Sequence, residues 1–553
     1  MYQYDAYDRT IVRERANQFA DQTRRFLAGE LTEEEFRPLR LQNGLYIQRQ
    51  APMLRVAIPY GVLNSQQMRT LGDIAREFDR GYAHFTTRQN IQFNWPKLED
   101  VPTLLQRLAD VDMHAIQTSG NCVRNTTSDA FAGVAPDETV DPRPYCELIR
   151  QWSTFLPEFA ALPRKFKIAV TGASHDRAAV QVHDIGIQMR LNDAGAVVAD
   201  MRVGGGLGRT PIVSPLIKVG LPWQDLLTYC EAVLRVYNQH GRRDNIYKAR
   251  IKILVKALTP EVFAQEVDEE FAHLQGGAGT VTQAELDRVK AHFTDAQLAP
   301  RFDALPVVAD PAYQRWLARN THAHKIAGYT AVSLSFKRTG IAPGDATTEV
   351  MHAVADLADA YSLGELVVTH EQNVVLPNVA SSDLHDLWLQ ARALGLARAN
   401  IGLISDMIAC PGGDFCSLAN ARSLPVAAAV NARFESMDFQ HDLGDLTLNI
   451  SGCINSCGHH HIGNIGILGV DKNDEEFYQI TLGGRGGNAT KIGAVIGPSF
   501  AAEQVPDVLA KVLAVYTAQR LEDELFIDAF DRLGLAPFKA AVYDANPKEA
   551  AHA

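Results

Sequence analysis

The sequence predicts an α+β protein made of two related halves that pack around a pseudo-twofold axis. Strand-like and helix-like patterns alternate along the chain, which is typical of mixed α and β layers. Ile-Ala-Val-Thr-Gly at 168–172 corresponds to Leu-Asn-Ile-Ser-Gly at 448–452, about 280 positions later. Twelve positions after each glycine comes a second match, Asp-Ile-Gly-Ile at 184–187 and Asn-Ile-Gly-Ile at 464–467. Landmarks that keep one offset indicate duplication, and the crevice between two such halves suits a large bound group.

The chain begins with a predicted helical arm at residues 1–40 and a first small lobe at 41–115. Within that lobe we expect strands at 53–60 and 82–93 and helices at 65–78 and 101–108. A second small lobe is predicted at 321–397, with strands at 332–336 and 366–376 around a helix at 348–361. Gln89-Asn90 in the first lobe matches Gln372-Asn373 in the second, which indicates that the small lobes are also related.

The larger lobes of the two halves are predicted at 116–260 and 398–545, and they contain the repeated segments. Residues 261–320 include many acidic side chains and have no counterpart in the second half, so we predict a helical connector there. The small, polar tail at 546–553 is predicted to be frayed.

Composition excludes several classes of protein. The chain has 553 residues, more than one hydrophobic core usually holds, and 46% of them are apolar. A net charge of -12 argues against a nucleic-acid partner, which would need uncompensated basic residues. No apolar run approaches the length of a membrane span, and no leader pattern begins the chain, so we expect no membrane association and a cytoplasmic location. Seven cysteines, an odd number, also suit a reducing compartment.

Four of the seven cysteines are clustered as Cys410 with Cys416 and Cys453 with Cys457. Four thiolates can ligate either a [4Fe-4S] cluster or a tetrahedral zinc ion. The spacings are C-x5-C and C-x3-C, and the first contains a flexible Pro-Gly-Gly segment that can wrap around more than one ion. The pattern therefore favours an iron-sulfur cluster over zinc and over four unliganded core cysteines. A non-enzymatic iron-sulfur or zinc protein is the alternative of a different class.

The cysteine segments resemble the signature of the sirohaem-dependent sulfite and nitrite reductases. The resemblance rests on Ala-Cys-Pro-Gly-Gly-Asp-Phe-Cys at 409–416 and Asn-Ile-Ser-Gly-Cys-Ile-Asn-Ser-Cys at 449–457. It implies that all four thiolates bind a [4Fe-4S] cluster and that Cys457 also bridges to the sirohaem iron. It further implies that each half has a ferredoxin-like α/β lobe and a larger, mixed α/β sirohaem-binding lobe.

Basic residues of the first half are candidates for binding sirohaem carboxylates and a small oxyanion. Arg88 is predicted on a strand, Arg124 lies in an Asn-rich turn, and Arg164, Lys165 and Lys167 precede a buried strand. Guanidinium groups suit this task because their planar fork binds carboxylates and oxyanions with two parallel bonds. The resemblance implies that Arg88 and Arg164 face both substrate and cofactor, and that Arg124 mainly binds the cofactor.

The fourth cationic ligand departs from the family pattern. Arg209 stands where a lysine is often found after the first-half glycine run, and Lys218 comes later. We assign Arg209 to catalysis together with Arg88 and Arg164, with Lys218 as the alternative. The other predicted cofactor-binding residues are Asn125, Lys165, Lys167, Gly205, Gly206, Arg485 and Asn488.

His459, His460 and His461 follow Cys457 directly, and we interpret them as hydrogen-bonding and packing groups because four thiolates already complete the ligation of the cluster. No G-x-G-x-x-G segment has the context of a dinucleotide site, so electrons should come from a separate ferredoxin or flavoprotein reductase. The predicted function is the six-electron reduction of sulfite to sulfide, and the alternative is reduction of nitrite to ammonia with the same cofactors.

Overall fold

A computed structural model of the chain describes residues 1–293, 298–303 and 308–543. The predicted tail at 546–553 and short parts of the predicted connector lie outside the described residues. The helices are α1 (Ala6–Leu27), α2 (Glu33–Gln42), α3 (Ser65–Phe78), α4 (Val101–Ala109), α5 (Arg143–Ser153), α6 (Leu226–His240), α7 (Ile251–Leu258), α8 (Pro260–Leu274), α9 (Gln283–Ala291), α10 (Pro311–Asn320), α11 (Thr348–Tyr361), α12 (Leu384–Ala393), α13 (Leu424–Arg433), α14 (Met437–Leu443), α15 (Val505–Gln519), α16 (Phe526–Leu533) and α17 (Ala536–Tyr543).

The strands are β1 (Leu45–Ile47), β2 (Pro52–Val56), β3 (Val62–Asn64), β4 (Tyr82–Phe85), β5 (Ile91–Phe93), β6 (Thr127–Ser128), β7 (Ile168–Thr171), β8 (Ile185–Leu191), β9 (Val197–Val203), β10 (Leu216–Pro222), β11 (Thr321–Ala323), β12 (Tyr329–Leu334), β13 (Asp345–Thr347), β14 (Glu365–Val368), β15 (Val374–Ala380), β16 (Ile408–Ala409), β17 (Leu448–Ser451), β18 (Ile465–Lys472), β19 (Glu475–Leu482), β20 (Ala494–Val495) and β21 (Phe500–Ala501). The mixture of helices with separate sheets is the predicted α+β class.

The two small lobes exchange strands and share one hydrophobic core. Their sheets have the orders β1-β2-β5-β4-β13 and β11-β12-β15-β14-β3, so each ends in a strand from the other half. The helices that follow the exchanged strands, α3 and α11, pack against each other. Leu54 and Phe93 of the first half lie in the same core cluster as Val332 and Leu376 of the second. The exchange fixes the two halves to each other around the pseudo-twofold axis.

The two large lobes repeat one sheet topology. In the first, β6, β7 and β8 are parallel neighbours, and β9 and β10 continue the sheet antiparallel. In the second, β16, β17 and β18 are parallel and β19 is antiparallel. The strands β7 and β17 are the repeated segments found in the sequence. The helices α8 and α9 add Phe263, Phe271 and Leu286 to the core of the first large lobe.

The strands predicted at 82–93 and 366–376 are each two strands separated by a tight turn. β4 and β5 flank a turn in which Gln89 has φ 54°, and β14 and β15 flank one in which Gln372 has φ 62°. A left-handed residue cannot continue an extended strand, so the chain reverses there. The prediction that Arg88 lies on a strand is therefore wrong, because it occupies the first of these turns.

Candidate active site

The four clustered cysteines converge at one edge of the second large sheet. Because β16 and β17 are parallel neighbours, the loops after their carboxyl ends lie side by side. The first loop carries Cys410 and Cys416, and the second carries Cys453 and Cys457. The loops are joined by a hydrogen bond of 3.2 Å from the amide of Gly452 to the sulfur of Cys410. The sheet topology thus brings together thiols from distant positions in the sequence.

Two glycines allow these loops to approach closely. Gly412 has φ 61°, and a Cβ there would lie 2.5 Å from the amide nitrogen of Ser423. A Cβ on Gly452 would lie 2.6 Å from the Cα of Gly412. Side chains at either position would force the loops apart, since both distances are shorter than a van der Waals contact. The Gly-Gly and Ser-Gly-Cys elements of the motif therefore have a packing role.

All four cysteines line one groove, which we call the cysteine groove and which holds about 1300 Å³ of empty space. No three His, Cys, Asp or Glu side chains are grouped as ligands of a single metal ion anywhere in the described part of the chain. Four thiols that line one groove but form no single-ion ligand group among the described residues suit a multi-iron cluster better than one zinc ion, whose ligands must meet at a point.

Cys410 and Cys457 also line a second cavity that adjoins the groove and holds about 760 Å³ of empty space. We call it the basic cavity, because its lining includes the cations Arg55, Arg88, Arg124, Lys165 and Lys167. No carboxylate belongs to this lining, and within residues 1–293, 298–303 and 308–543 none of the five cations forms an ion pair. Buried cations without counter-ions are costly, so this arrangement is suited to an anionic ligand.

Arg88 is held by neutral groups. Its guanidinium donates to the hydroxyl of Thr127 at 2.9 Å and to the carbonyl of Asn125 at 2.6 Å. It also contacts the Nε2 of His183, whose Nδ1 lies 2.7 Å from the carbonyl of Ala179. A nitrogen that faces a carbonyl must donate, so in the neutral ring Nε2 accepts from Arg88. Burial lowers the pKa of Arg88, and the nearby carboxylate of Asp184 opposes this shift although it forms no ion pair with Arg88 among the described residues.

The other cations show the same electrostatic imbalance. Arg124 donates to the carbonyls of Thr118 and Gly120 at 2.7 to 3.0 Å. Burial, with Arg88 and Lys165 nearby, lowers the pKa of Lys167 well below its ordinary value. Burial by itself would raise the pKa of Tyr46, yet Arg124, Arg55 and Lys165 lower it. A tyrosine shifted in this direction indicates a positive potential in the cavity.

Turns from the small lobes fix the cysteine loops. The hydroxyl of Thr87 donates to the carbonyl of Cys457 at 2.8 Å. The side chain of Gln372 donates to the carbonyl of Ala409 and accepts from its amide, both at 3.0 Å, directly before Cys410. Gln89 makes the corresponding bond to the amide of Ser128 at 2.9 Å in the first half. The repeated Gln-Asn pairs therefore anchor the first strand of each large lobe.

The structure brings some of the predicted site residues together and leaves others apart. Arg88, Arg124, Asn125, Lys165 and Lys167 line the basic cavity, whereas Arg164 and Arg209 do not belong to its lining. Arg164 is half-buried, and burial together with Arg250 and Arg124 lowers its pKa. Arg209 is exposed and lies over the ring of Tyr247. Its alternative, Lys218, forms an ion pair of 2.9 Å with Asp268.

The remaining predicted residues lie where the large lobes meet or at the surface. The side chain of Asn488 joins the halves, accepting from the amide of Asp176 at 2.7 Å and donating to the carbonyl of Ser174 at 2.8 Å. Gly205 packs against the backbone of His183, and the carbonyl of Gly206 accepts from Lys252 at 3.2 Å. Arg485 forms ion pairs with Asp528 and Asp531 and does not belong to the lining of the basic cavity.

The three consecutive histidines have different surroundings. The side chain of His459 is buried, and burial with Lys167 nearby lowers its pKa. His460 is buried, and its Nδ1 lies 3.1 Å from the hydroxyl of Ser456. The Nε2 of His461 donates to the carbonyl of Gly208 at 3.0 Å, which ties the second half to the first. In the part of the chain that the structure describes, none of them belongs to a group suited to ligating one metal ion.

Several residues of the site were missed by sequence reasoning. Arg55 and Tyr46 line both cavities, Thr87 bridges the halves, and Gln372 also bridges them by donating to the carbonyl of Phe85 at 2.9 Å. An arginine inside the apolar strand 53–60 was a usable signal for Arg55. Nothing in the sequence distinguishes Thr87 or Tyr46 from ordinary packing residues.

The fold and the site define a redox protein in which a four-thiol groove opens onto an anion-binding cavity between two duplicated halves. The family described as the nitrite and sulphite reductase 4Fe-4S domain matches residues 119–274 and 403–549. The family described as the nitrite/sulfite reductase ferredoxin-like half domain matches residues 46–111 and 334–394. The chain therefore belongs to the nitrite and sulphite reductase family and is an oxidoreductase with a [4Fe-4S] cluster and sirohaem.

Individual relatives agree with this classification. The chain is 28% identical to sulfite reductase [ferredoxin] 1 of Mycolicibacterium paratuberculosis, over 86% of this chain and 81% of the relative. It is 30% identical to the chloroplastic ferredoxin–nitrite reductase of Zea mays, over 85% and 80% of the two chains. The solved structure of the NirA protein of Mycobacterium tuberculosis matches with a TM-score of 0.76 and 26% identity, over 92% of both chains.

The residues present fit both groups. Four thiols line one groove, and the donor set, with an amide N–H directed at the sulfur of Cys410, is that of a cluster site. The basic cavity offers uncompensated cations for the carboxylates of sirohaem. Cys457 is exposed and faces both spaces, so its sulfur is available to both groups. No helix among the described residues is both long and apolar enough to cross a membrane.

Proposed function

We propose that this chain is a sulfite reductase that catalyses the six-electron reduction of sulfite to sulfide. One observation carries the proposal: five cations without carboxylate partners among the described residues line the same cavity as Cys457. Such a cavity attracts a small oxyanion and holds it beside the thiol that also faces the cysteine groove.

We assign the binding of the oxyanion to Arg88, Arg124, Lys165 and Lys167. All four line the basic cavity, which supports them over Arg164 and Arg209. The neutral partners of Arg88 and Arg124 orient the guanidinium groups without neutralising them. Arg55, which stacks over the ring of Tyr46, is placed to pair with a sirohaem carboxylate. Arg164 lies close enough to Arg250 and Arg124 for their charges to help lower its pKa, so it adds to the positive potential.

The four thiolates of Cys410, Cys416, Cys453 and Cys457 would hold the cluster, and Cys457 would also bind the sirohaem iron. When bound, these groups would carry electrons to the anion and provide the metal position at which it is reduced. The chain's cations stabilise the negative charge on the substrate oxygens. Lys165 and Lys167, whose pKa values are lowered, can donate protons to oxygens that leave as water and regain them from solvent.

We further propose that a reduced ferredoxin supplies the electrons and that the protein works in the cytoplasm. Relatives whose names specify ferredoxin match most of this chain. All seven cysteines are free thiols in the structure, as expected in a reducing compartment.

Nitrite is the second candidate substrate. Ferredoxin–nitrite reductases of Zea mays and Synechococcus elongatus are 30% and 29% identical to this chain, about the same as the sulfite reductases. A cavity lined by cations suits either anion, because charge rather than shape dominates its lining.

The test is a steady-state comparison of sulfite and nitrite with the purified holoenzyme and reduced ferredoxin as donor. We expect stoichiometric formation of sulfide and a higher kcat/KM for sulfite than for nitrite. A higher kcat/KM for nitrite, with ammonia as the product, would replace the first candidate by the second. Turnover of neither anion would reject both.

A further inference from the structure

The turn between β14 and β15 is the pseudosymmetric counterpart of the turn that carries Arg88. The amide of Thr86 donates to the carbonyl of Asn90 at 2.8 Å, and the corresponding bond from Thr369 to Asn373 is 2.9 Å. In each turn, the glutamine before the asparagine has a positive φ. His370 therefore occupies the position that Thr87 occupies in the first half.

His370 crosses from the second half into the first. Its Nδ1 lies 3.0 Å from the carbonyl of Thr87, and its Nε2 lies 3.2 Å from the carbonyl of Ser128. The ring is 5% exposed, so water does not replace these contacts. Both carbonyls belong to backbone segments that hold Arg88 in place.

These two contacts lie at the two attachment points of Arg88. The carbonyl of Thr87 belongs to the peptide bond that joins Thr87 to Arg88, at the backbone end. Ser128 directly follows Thr127, whose hydroxyl accepts a hydrogen bond from the guanidinium at 2.9 Å. The imidazole of His370 thus contacts both the backbone next to Arg88 and the segment that binds the Arg88 guanidinium.

We propose that His370 is a positioning residue that fixes Arg88 in the basic cavity by packing against both backbone segments that support it and donating a hydrogen bond to one of them. The proposal rests on the proposed role of Arg88 as an anion ligand. It also explains why the two turns make reciprocal contacts: Thr87 of the first turn binds the carbonyl of Cys457, and His370 of the second binds the first half. Through Thr87, the contacts of His370 also support the position of Cys457.

Carbonyl oxygens only accept, so the neutral ring can donate to one of them and the imidazolium can donate to both. Burial lowers the pKa of His370, and Arg88 lowers it further. The carbonyls of Thr87 and Ser128 and the carboxylate of Asp176 oppose this shift. His183 and His459 are the other titratable groups nearby, and charge on His370 lowers the pKa of both.

The experiment compares the holoenzyme with its His370→Ala and His370→Gln variants. Glutamine keeps a hydrogen-bond donor group, so His370→Gln should show only part of the loss of sulfite affinity seen in His370→Ala. His322→Ala is the control, since His322 is a partly buried histidine that contacts Ser333 and Phe131 and lines neither cavity. The readouts are the dissociation constant of sulfite from changes in the sirohaem absorption bands, the KM and kcat for sulfite, and the iron content.

For His370→Ala we expect the dissociation constant and KM of sulfite to rise about tenfold and kcat to fall less than about threefold. This change in affinity corresponds to the loss of one oriented, charge-assisted hydrogen bond. His370→Gln should lie between alanine and wild type, and His322→Ala should match wild type. An unchanged dissociation constant, or losses that only follow lost cofactor or equal those of His322→Ala, would overturn the proposal. The binding readout applies even if turnover is absent, so failure of the proposed function is recognised separately.

If His370→Ala does not fold, the glutamine variant combined with Thr87→Val supplies the test. The two changes act on one connected unit, so their effects on sulfite affinity should be non-additive. Additive effects would overturn the proposal.

Discussion

The hydroxyl of Thr87 in the first half donates a hydrogen bond of 2.8 Å to the carbonyl of Cys457 in the second. Thr87 directly precedes Arg88, and Cys457 faces both cavities. The bond therefore links the residue that would join cluster and sirohaem to the turn that presents an anion ligand. The two surfaces that meet here come from the two duplicated halves, and only the second half contains the four clustered cysteines.

Replacing Thr87 by valine should weaken the coupling of the two halves while preserving side-chain volume. A hydrogen bond of this kind contributes about 0.5 to 1.5 kcal/mol, so kcat/KM should fall about three- to tenfold. The control is Thr10→Val on α1, where the hydroxyl bonds only its own helix. Steady-state kinetics at equal iron content checks the prediction, which fails if both variants match wild type.

Lys167→Gln should raise the KM for the oxyanion, whereas Arg209→Gln should not. Lys167 lines the basic cavity, and Arg209 is exposed beside Tyr247. Loss of one charge-assisted bond is worth about 1.5 to 3 kcal/mol, or roughly ten- to 150-fold in KM. The same assay on both variants decides between the cavity lysine and the residue chosen from the sequence. A large effect of Arg209→Gln alone would restore the original assignment.

The KM for the anion should rise with pH on the alkaline side of neutrality. Burial lowers the pKa of Lys165 and Lys167 in the free enzyme from an ordinary value of 10.5. Only the protonated amines bind the anion, so affinity is complete below the lowered pKa values and is lost as pH rises through them. Each group contributes up to about tenfold per pH unit above its pKa. A KM that is constant up to pH 9.5, or that falls with rising pH, would contradict this.

Arg177→Met should destabilise the first large lobe strongly. Arg177 lies about 280 positions before Cys457, at the corresponding place in the duplicated fold, and pairs with Asp129 at 2.7 Å. The Asp129 side chain is 1% exposed, so removing its partner should cost about 3 to 5 kcal/mol. Arg242→Met, which breaks an exposed pair with Asp244, should leave the urea midpoint nearly unchanged. Urea unfolding followed by circular dichroism measures both, and equal midpoints would refute the distinction.

The sequence was sufficient to predict the duplication and the cysteine site. Both depend on local patterns: strand segments such as 168–172 recur at a fixed offset, and the four clustered cysteines fall in two short, closely spaced motifs. The cavity residues were predicted less well. Whether Lys167 or Arg164 faces the cavity depends on how the segment before β7 meets the second half, which local sequence does not encode. The turn at Arg88 was missed because its flanking residues all have strand character, and only the φ of Gln89 breaks the strand.

The contacts between the halves could not be predicted from the sequence, for a related reason. By the rules of strand pairing alone, β3 and β13 could equally well have paired with strands of their own halves. The exchange between sheets is selected by the shared core under α3 and α11. Thr87 and His370 acquire their roles only after that exchange has placed the turns against the opposite large lobes.

We expect the four thiols and the basic cavity to hold a [4Fe-4S] cluster and a sirohaem side by side. The content of iron, zinc and acid-labile sulfide in the purified protein, together with its absorption spectrum, tests this arrangement. We predict about five iron atoms and about four sulfides per chain, with the absorption bands of an iron chlorin. Zinc in place of iron, or iron and sulfide without chlorin bands, would contradict it.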